Sequence, residues 1–314
     1  MKLDGIHHIT AITGDAPVNV KFYVGTLGLR LVKKTVNQDD PTVYHLFYAD
    51  EQGSPGSDLT FFEYPNAVPG RAGAGMVHRI CWRVGSTEAL SFWERRLREH
   101  GCASERTTGD GSGEGLRFKD PEGLEHELLV SAASDEPLSA TAPDIPSEMA
   151  LQGFDGVRVY CQRPQDSAHV LSEVLGFSAA GGDDWEVRGS RRGGHYRYDQ
   201  PPAEPAKPGA GTVHHVAFAA DPEDEAHWQE RIAAAGLRPT PVIDRFYFRS
   251  VYFREPSGVL MEIATIGPGF AVDEDPAHLG ERLSLPPRFE PLRERLNGLL
   301  TPLPDPRSAA AHGS

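Results

Sequence analysis

Four segments of the chain repeat one pattern of apolar and polar positions. They open "GIHHITAITG", "GMVHRICWRV", "GFDGVRVYCQ" and "GTVHHVAFAA". Each begins as a short alternating strand, passes a polar bend, and becomes an amphipathic helix of about three turns. Phe22, Tyr23 and Leu27 mark the apolar face of the first helix, and Leu90, Phe92, Trp93 and Leu97 that of the second. Val170, Leu171, Val174 and Leu175 mark the third, and Trp228, Ile232 and Ala235 the fourth. Gly28, Gly101, Gly176 and Gly236 stand where a glycine ends a helix in the left-handed conformation. About three further strands complete each copy, roughly sixty to seventy residues long. The pattern predicts an α+β protein of four βαβββ units.

The repeat aligns chemistry as well as shape. "DPEGLEHELLV" (120–130) and "EPSGVLMEIAT" (255–265) share an acid–Pro–x–Gly turn followed by a strand, so Glu127 corresponds to Glu262. Aligning the opening strands puts His8, Arg79, Gly156 and His215 at one step. Ligand-type residues are complete only for the first and fourth units: His8, His215 and Glu262. Two imidazoles and one carboxylate can form a facial triad, which holds Fe(II) and leaves positions open for substrate and O₂. A single strand histidine is ordinarily a packed or surface residue; the shared register raises these above that reading.

Composition narrows the class. Thirty-one basic against 45 acidic residues give a formal charge of −14, which disfavours nucleic acid and anionic membranes as partners. Cys81, Cys102 and Cys161 form no CxxC pair, so neither a disulfide framework nor a thiolate zinc site is expected. The absence of an apolar leader in "MKLDGIHHIT" leads to a cytoplasmic expectation. The polar stretch 131–150 divides the chain into an N-terminal pair of units (1–130) and a C-terminal pair (151–267), followed by a tail (268–314) in which "PPRFEPLRERLNGLLTPL" can form one helix. "GDGSGEG" (109–115) lacks the lysine and spacing of a phosphate loop and reads as a surface turn. "NQDDP" (37–41) reads as a turn or a loop over a cavity.

The fourfold plan resembles the vicinal oxygen chelate superfamily of glyoxalases, extradiol dioxygenases and antibiotic-resistance proteins. The stretches "VKKTVNQDDP", "YHLFYAD", "SVYFREPSGVLMEIAT" and "DEDPAHLG" are similar to one branch, the hydroquinone-type ring-cleaving dioxygenases. The resemblance spans nearly the whole chain. It implies two half-barrels, one with its metal and one without, and Fe(II) held by His8, His215 and Glu262, with Mn, Zn or Ni as alternative occupants. It implies O₂-dependent opening of a hydroquinone- or catechol-type aromatic ring. Tyr252, His214 and His7 become candidates for proton handling, and Thr10, Arg245 and Arg249 for contacts to substrate. By strand alternation His7 and His214 should point away from the metal, whereas Thr10 shares the inward face with His8. The tail or an exposed edge could mediate a homodimer.

Two rivals use the same plan. A glyoxalase-like lyase or isomerase needs a fourth ligand from the end of the first unit. There Thr60 or Phe62 falls at the ligand step, and Glu63 has the wrong parity unless a bulge intervenes. A non-enzymatic small-molecule-binding protein of this plan would not need the complete triad.

Overall fold

The computed structural model describes residues 1–108 and 113–304. Most of the glycine-rich turn and the end of the tail lie outside the described residues. The first unit comprises β1 (Ile6–Thr13), β2 (Arg30–Val36), β3 (Tyr44–Ala49) and β4 (Asp58–Glu63). The second comprises β5 (Met76–Val84), β6 (Ser104–Thr108), β7 (Glu114–Lys119) and β8 (Glu125–Val130). The third has β9 (Phe154–Tyr160), β10 (Ser178–Gly181), β11 (Asp184–Arg188) and β12 (Gly193–Asp199). The fourth has β13 (Thr212–Ala220), β14 (Ile243–Asp244), β15 (Arg249–Arg254) and β16 (Leu260–Thr265).

One helical segment follows each opening strand. In the first unit α1 (Ala16–Val20) runs into a wider π turn at Lys21–Thr26, and its start is capped by Asp15, which accepts from Val18 N at 3.0 Å. Ser86 caps α2 (Thr87–Glu99) in the same way. The third unit has a 3₁₀ turn (Pro164–Asp166) followed by a π-type segment (Val170–Val174), and the fourth has α3 (Glu225–Ala234). The four expected glycines follow these segments with φ between +69° and +81°. Gly28 is doubly constrained, because a Cβ there would lie 2.3 Å from Ile145 Cδ1. In the tail, a 3₁₀ segment (Pro287–Leu292) precedes α4 (Arg293–Leu299), so the expected single helix is divided. Pro291 lies in the first part and has no N–H to give.

The strands form two eight-stranded sheets that do not follow the order of the chain. One runs β14-β15-β16-β13-β1-β4-β3-β2 and the other β10-β11-β12-β9-β5-β8-β7-β6. The first unit is therefore joined to the fourth, and the second to the third, each across an antiparallel seam. The composition break at 131–150 separates sequence halves but not sheets. Nor is that stretch a free connection. Asp135 pairs with Arg83 at 2.6 Å and Arg188 at 2.8 Å, Ile145 is buried, and Trp93 Nε1 donates to Met149 O.

A continuous core joins the helices to one face of each sheet, with Trp82, Trp93, Tyr23, Phe154, Phe218 and Trp228 among its members. His126 is buried within it. Its Nδ1 accepts from Trp82 Nε1 at 3.1 Å, which leaves Nε2 to donate to Tyr23 Oη at 3.0 Å. Burial, barely offset by Glu125, depresses its pKa from 6.5 to about 3. The unfolded chain therefore binds more protons than the folded one between those values, and stability falls as pH drops below 6.5. This one group is expected to cost about 2 kcal/mol between pH 6.5 and 5. Urea midpoints at pH 7 and 5 check this, since a His126→Phe protein should show a shallower fall.

Both seams are irregular at equivalent places. In β1, Ile6 pairs with Phe218 and His8 with Ala217, so His7 is the extra residue of a bulge. On β13, Thr10 pairs with His215 and Ala11 with Val213, so His214 is the extra residue there. The second seam has bulges at His78 and Asp155. Each bulge shifts the inward–outward alternation by one. Ile6 and Ile9, Val77 and Ile80, Phe154 and Val157, and Val213 and Val216 accordingly all reach the same core.

Candidate metal centre

The other face of the β1–β13 sheet forms a cup containing a small apolar cluster of Val32, Phe47, Ala49, Ala217, Tyr247, Phe248, Ala264, Phe270 and Leu279. His8, His215 and Glu262 project into it from β1, β13 and β16. His8 Nε2 lies 3.2 Å from His215 Nε2 and 3.2 Å from Glu262 Oε2, and His215 Nε2 lies 2.9 Å from the same oxygen. These residues form a candidate metal site in which all three side chains are buried.

Glu262 is held by one donor. Ser250, on the neighbouring strand, donates to Oε1 at 2.5 Å. Oε2 is buried and receives no hydrogen bond from the described residues. Burial raises the pKa of Glu262, but the adjacent His8 and His215 rings outweigh it and hold the carboxyl well below its ordinary range. An ionised oxygen with no assigned donor, facing two ring nitrogens, is a donor set that fits a divalent cation. Nitrogen and oxygen atoms bound side by side at about 2.1 Å to a first-row divalent ion are about 3.0–3.4 Å apart. The observed triangle fits that spacing.

The cavity before the triad holds about 30 Å³ and is lined by Phe47, Phe62, Phe248, Tyr252, His45 and Arg245, with Asn37, Gln38 and Asp39 at its mouth. "NQDDP" does form a loop over the cavity. Arg245 pairs with Asp39 through two contacts of 2.9 Å, while Gln38 donates to Arg245 O at 2.6 Å. This volume suits water rather than a ring. A larger cavity of about 700 Å³ lies elsewhere, around His100, Cys102 and Phe118.

Several expected residues are placed differently. His7 and His214 do not point away: the bulges bring His7 Nδ1 within 3.0 Å of His8 Nδ1, and His214 Nδ1 within 2.7 Å of His215 Nδ1. Thr10 faces inward but is fully buried against Thr60 at 2.8 Å and does not line the cavity. Of the two arginines, only Arg245 lines it. Arg249 turns outward to Glu225 on α3, with Nε at 2.7 Å from the carboxylate, because its parity on β15 differs from that of Tyr252 by one. Tyr252 lines the cavity opposite Glu262, and burial followed by the Glu262 charge holds its hydroxyl protonated.

His45 was not singled out from the sequence. It lies between Phe47 and Phe62, with ring centroids at 3.9 and 4.4 Å, and its Nε2 contacts Thr60 Oγ1 at 2.8 Å. Burial, with smaller contributions from His8 and His215, holds its pKa well below 6.5, so the ring is neutral. Its parity with Phe47 in "YHLFYA" was the available signal.

Among the described residues no second carboxylate joins His8, His215 and Glu262 as a fourth ligand-type group. Thr60 pairs with Thr10 as Glu262 pairs with Ala217, so threonine occupies the fourth ligand step. Glu63 instead accepts from Ala16 N where α1 begins.

The second cup has the same framework with ion pairs in place of ligands. Arg79 lies 3.2 Å and Arg117 2.9 Å from Glu127, and Arg197 pairs with Asp155 and Asp184 at 3.0 Å each. At the His8-equivalent step a Cβ on Gly156 would meet His195 O at 2.3 Å. That cup has no side chain to offer there.

The glyoxalase/bleomycin resistance protein/dioxygenase superfamily model matches residues 5–128 and 153–263. The chain belongs to that superfamily. Within it, the Bacillus subtilis (strain 168) protein named "Putative ring-cleaving dioxygenase MhqA" is 38% identical, over 96% of this chain and 100% of its own length. The chlorohydroquinone/hydroquinone 1,2-dioxygenase of Sphingobium indicum is 31% identical over 94% of this chain and 95% of its own. A crystal structure of a B. subtilis relative superposes with a TM-score of 0.90 at 39% identity, covering 96% of this chain and 98% of that one. The dioxygenase names of these superfamily relatives support an oxygenase acting on a small molecule with O₂. Among the described residues no helix is long and apolar enough to cross a membrane.

Proposed function

We propose that the protein is an Fe(II)-dependent dioxygenase that opens the ring of a hydroquinone- or catechol-type aromatic. The observation that carries this reading is the buried triangle of His8, His215 and Glu262 at one end of an aromatic-walled cavity. Iron held by the three would supply open positions for a deprotonated phenol and O₂, and a route for electrons between them.

The chain's own residues divide the remaining work. Phe47, Phe62 and Phe248 offer ring faces and edges that orient a flat substrate and exclude water. His45, neutral and in the cavity wall, can accept a hydrogen bond from the substrate hydroxyl and so orient it. Tyr252, protonated, donates a hydrogen bond to oxygen as negative charge develops there, and the Arg245 guanidinium lies over its ring at 5.4 Å. Thr60 at the fourth step supports three protein ligands with open positions over a four-ligand lyase site.

Anaerobic reconstitution with Fe(II), followed by O₂ uptake with methylhydroquinone and with catechol, tests the proposal. Uptake is expected with a ring-opened product. Iron retention without uptake on either substrate would count against it. A Tyr252→Phe protein should keep its iron and lose about a hundredfold in kcat, the scale of one positioned donor.

A further inference from the structure

We infer that His7 and His214 are positioning residues, each fixing the tautomer and tilt of the ligand histidine that follows it. The inference rests on reading His8 and His215 as metal ligands. Ring nitrogens 3.0 Å and 2.7 Å apart share one proton, so one ring donates and the other accepts. A ligand histidine must keep the Nε2 lone pair for the cation, and its proton therefore sits on Nδ1. The preceding histidine must then accept at Nδ1 and carry its own proton on Nε2.

The surroundings suit this arrangement. The His7 ring is 5% exposed, meets His8 edge to face at 5.1 Å and packs against Phe248 at 5.2 Å. The Thr265 backbone lies near the ring. His214 is exposed at the rim and meets the edge of Phe62 at 5.6 Å. Each ligand is thus oriented by a neutral ring, and no charge is added beside the triad.

The bulge by itself does not explain the histidines. In the second cup the same step carries His78, which pairs with Asp199 at 2.8 Å, and Asp155, which pairs with Arg197. Where there is no triad, the bulged residue serves ion pairs. Where the triad exists, both bulged residues are imidazoles turned onto a ligand.

The experiment compares wild type with His214→Phe, His214→Asn, His7→Phe and His7→Asn. Apo-protein is titrated anaerobically with Co(II), whose visible absorption reports coordination, and ligand-histidine tautomers are read by ¹⁵N NMR before metal is added. The phenylalanine variants should bind Co(II) about 10- to 100-fold more weakly. His215 should lose its uniform Nδ1–H form in His214→Phe, and His8 should do so in His7→Phe. Asparagine, whose Oδ1 stands where Nδ1 stood, should restore most of both. His214 is exposed, so its variants report even where His7→Phe fails to fold. A folded His214→Phe that binds within twofold of wild type with an unchanged tautomer would overturn the inference. A folded wild type that binds no Co(II) would instead sink the metal reading, and the inference with it.

Discussion

A Glu262→Gln protein is expected to fold, to retain no iron through purification, and to show no O₂ uptake with methylhydroquinone. Its Fe(II) affinity should fall by more than about a hundredfold, exceeding the usual loss from an outer-shell change. The substitution keeps the side-chain shape and leaves Oε1 available to Ser250. It removes the buried charge that faces His8 and His215. Full iron retention by the folded variant would remove Glu262 from the ligand set. Parallel loss of iron and stability would instead point to a structural role.

Lys33→Met is expected to cost about 3–5 kcal/mol, the scale of breaking a buried ion pair from one side. Lys33 is fully buried on β2, where its ammonium group contacts Asp273 at 2.7 Å, Phe270 O at 3.0 Å, and Glu274. It also lies over the Tyr247 ring at 4.8 Å, and Tyr247 donates to Asp273 at 3.1 Å. The lysine thus fastens the tail beneath Tyr247, which lines the cavity before the triad. "VKKTV" and "DEDPAHLG", far apart in the chain, meet at this contact. Because a buried pair replaced on both sides by apolar groups is often near neutral, Lys33→Met with Glu274→Leu should recover much of the loss. Urea unfolding of the two proteins checks this. A single-variant loss below about 1 kcal/mol would remove Lys33 from the tail's support.

The double histidines show where sequence reading stopped short. Strict alternation turned His7 and His214 away from the cup, yet the spacing of their apolar neighbours already contradicted alternation. "IHHI", "VHRI", "FDGV" and "VHHV" each place core residues three apart, and a strand can bury both only through an extra residue. The signal was present in all four units. Arg245 and Arg249 were different: no local pattern separates them, and the choice depends on where β15 begins. His45 was readable by parity with Phe47, but its burial comes from Phe62 and Thr60 on the neighbouring strand.

Repetition and periodicity, which are local in the chain, sufficed for the βαβββ unit, its glycine stops, the shared step of His8 and His215, and the separate step that Glu262 shares with Glu127. Pairing of the first unit with the fourth belongs to the tertiary structure, because strands some two hundred residues apart find each other through the fit of side chains across a seam. The same seam brings ring nitrogens of His8 and His215 and an oxygen of Glu262 within 3.2 Å of one another, turns the bulged histidines onto those two rings and leaves ion pairs in the other cup.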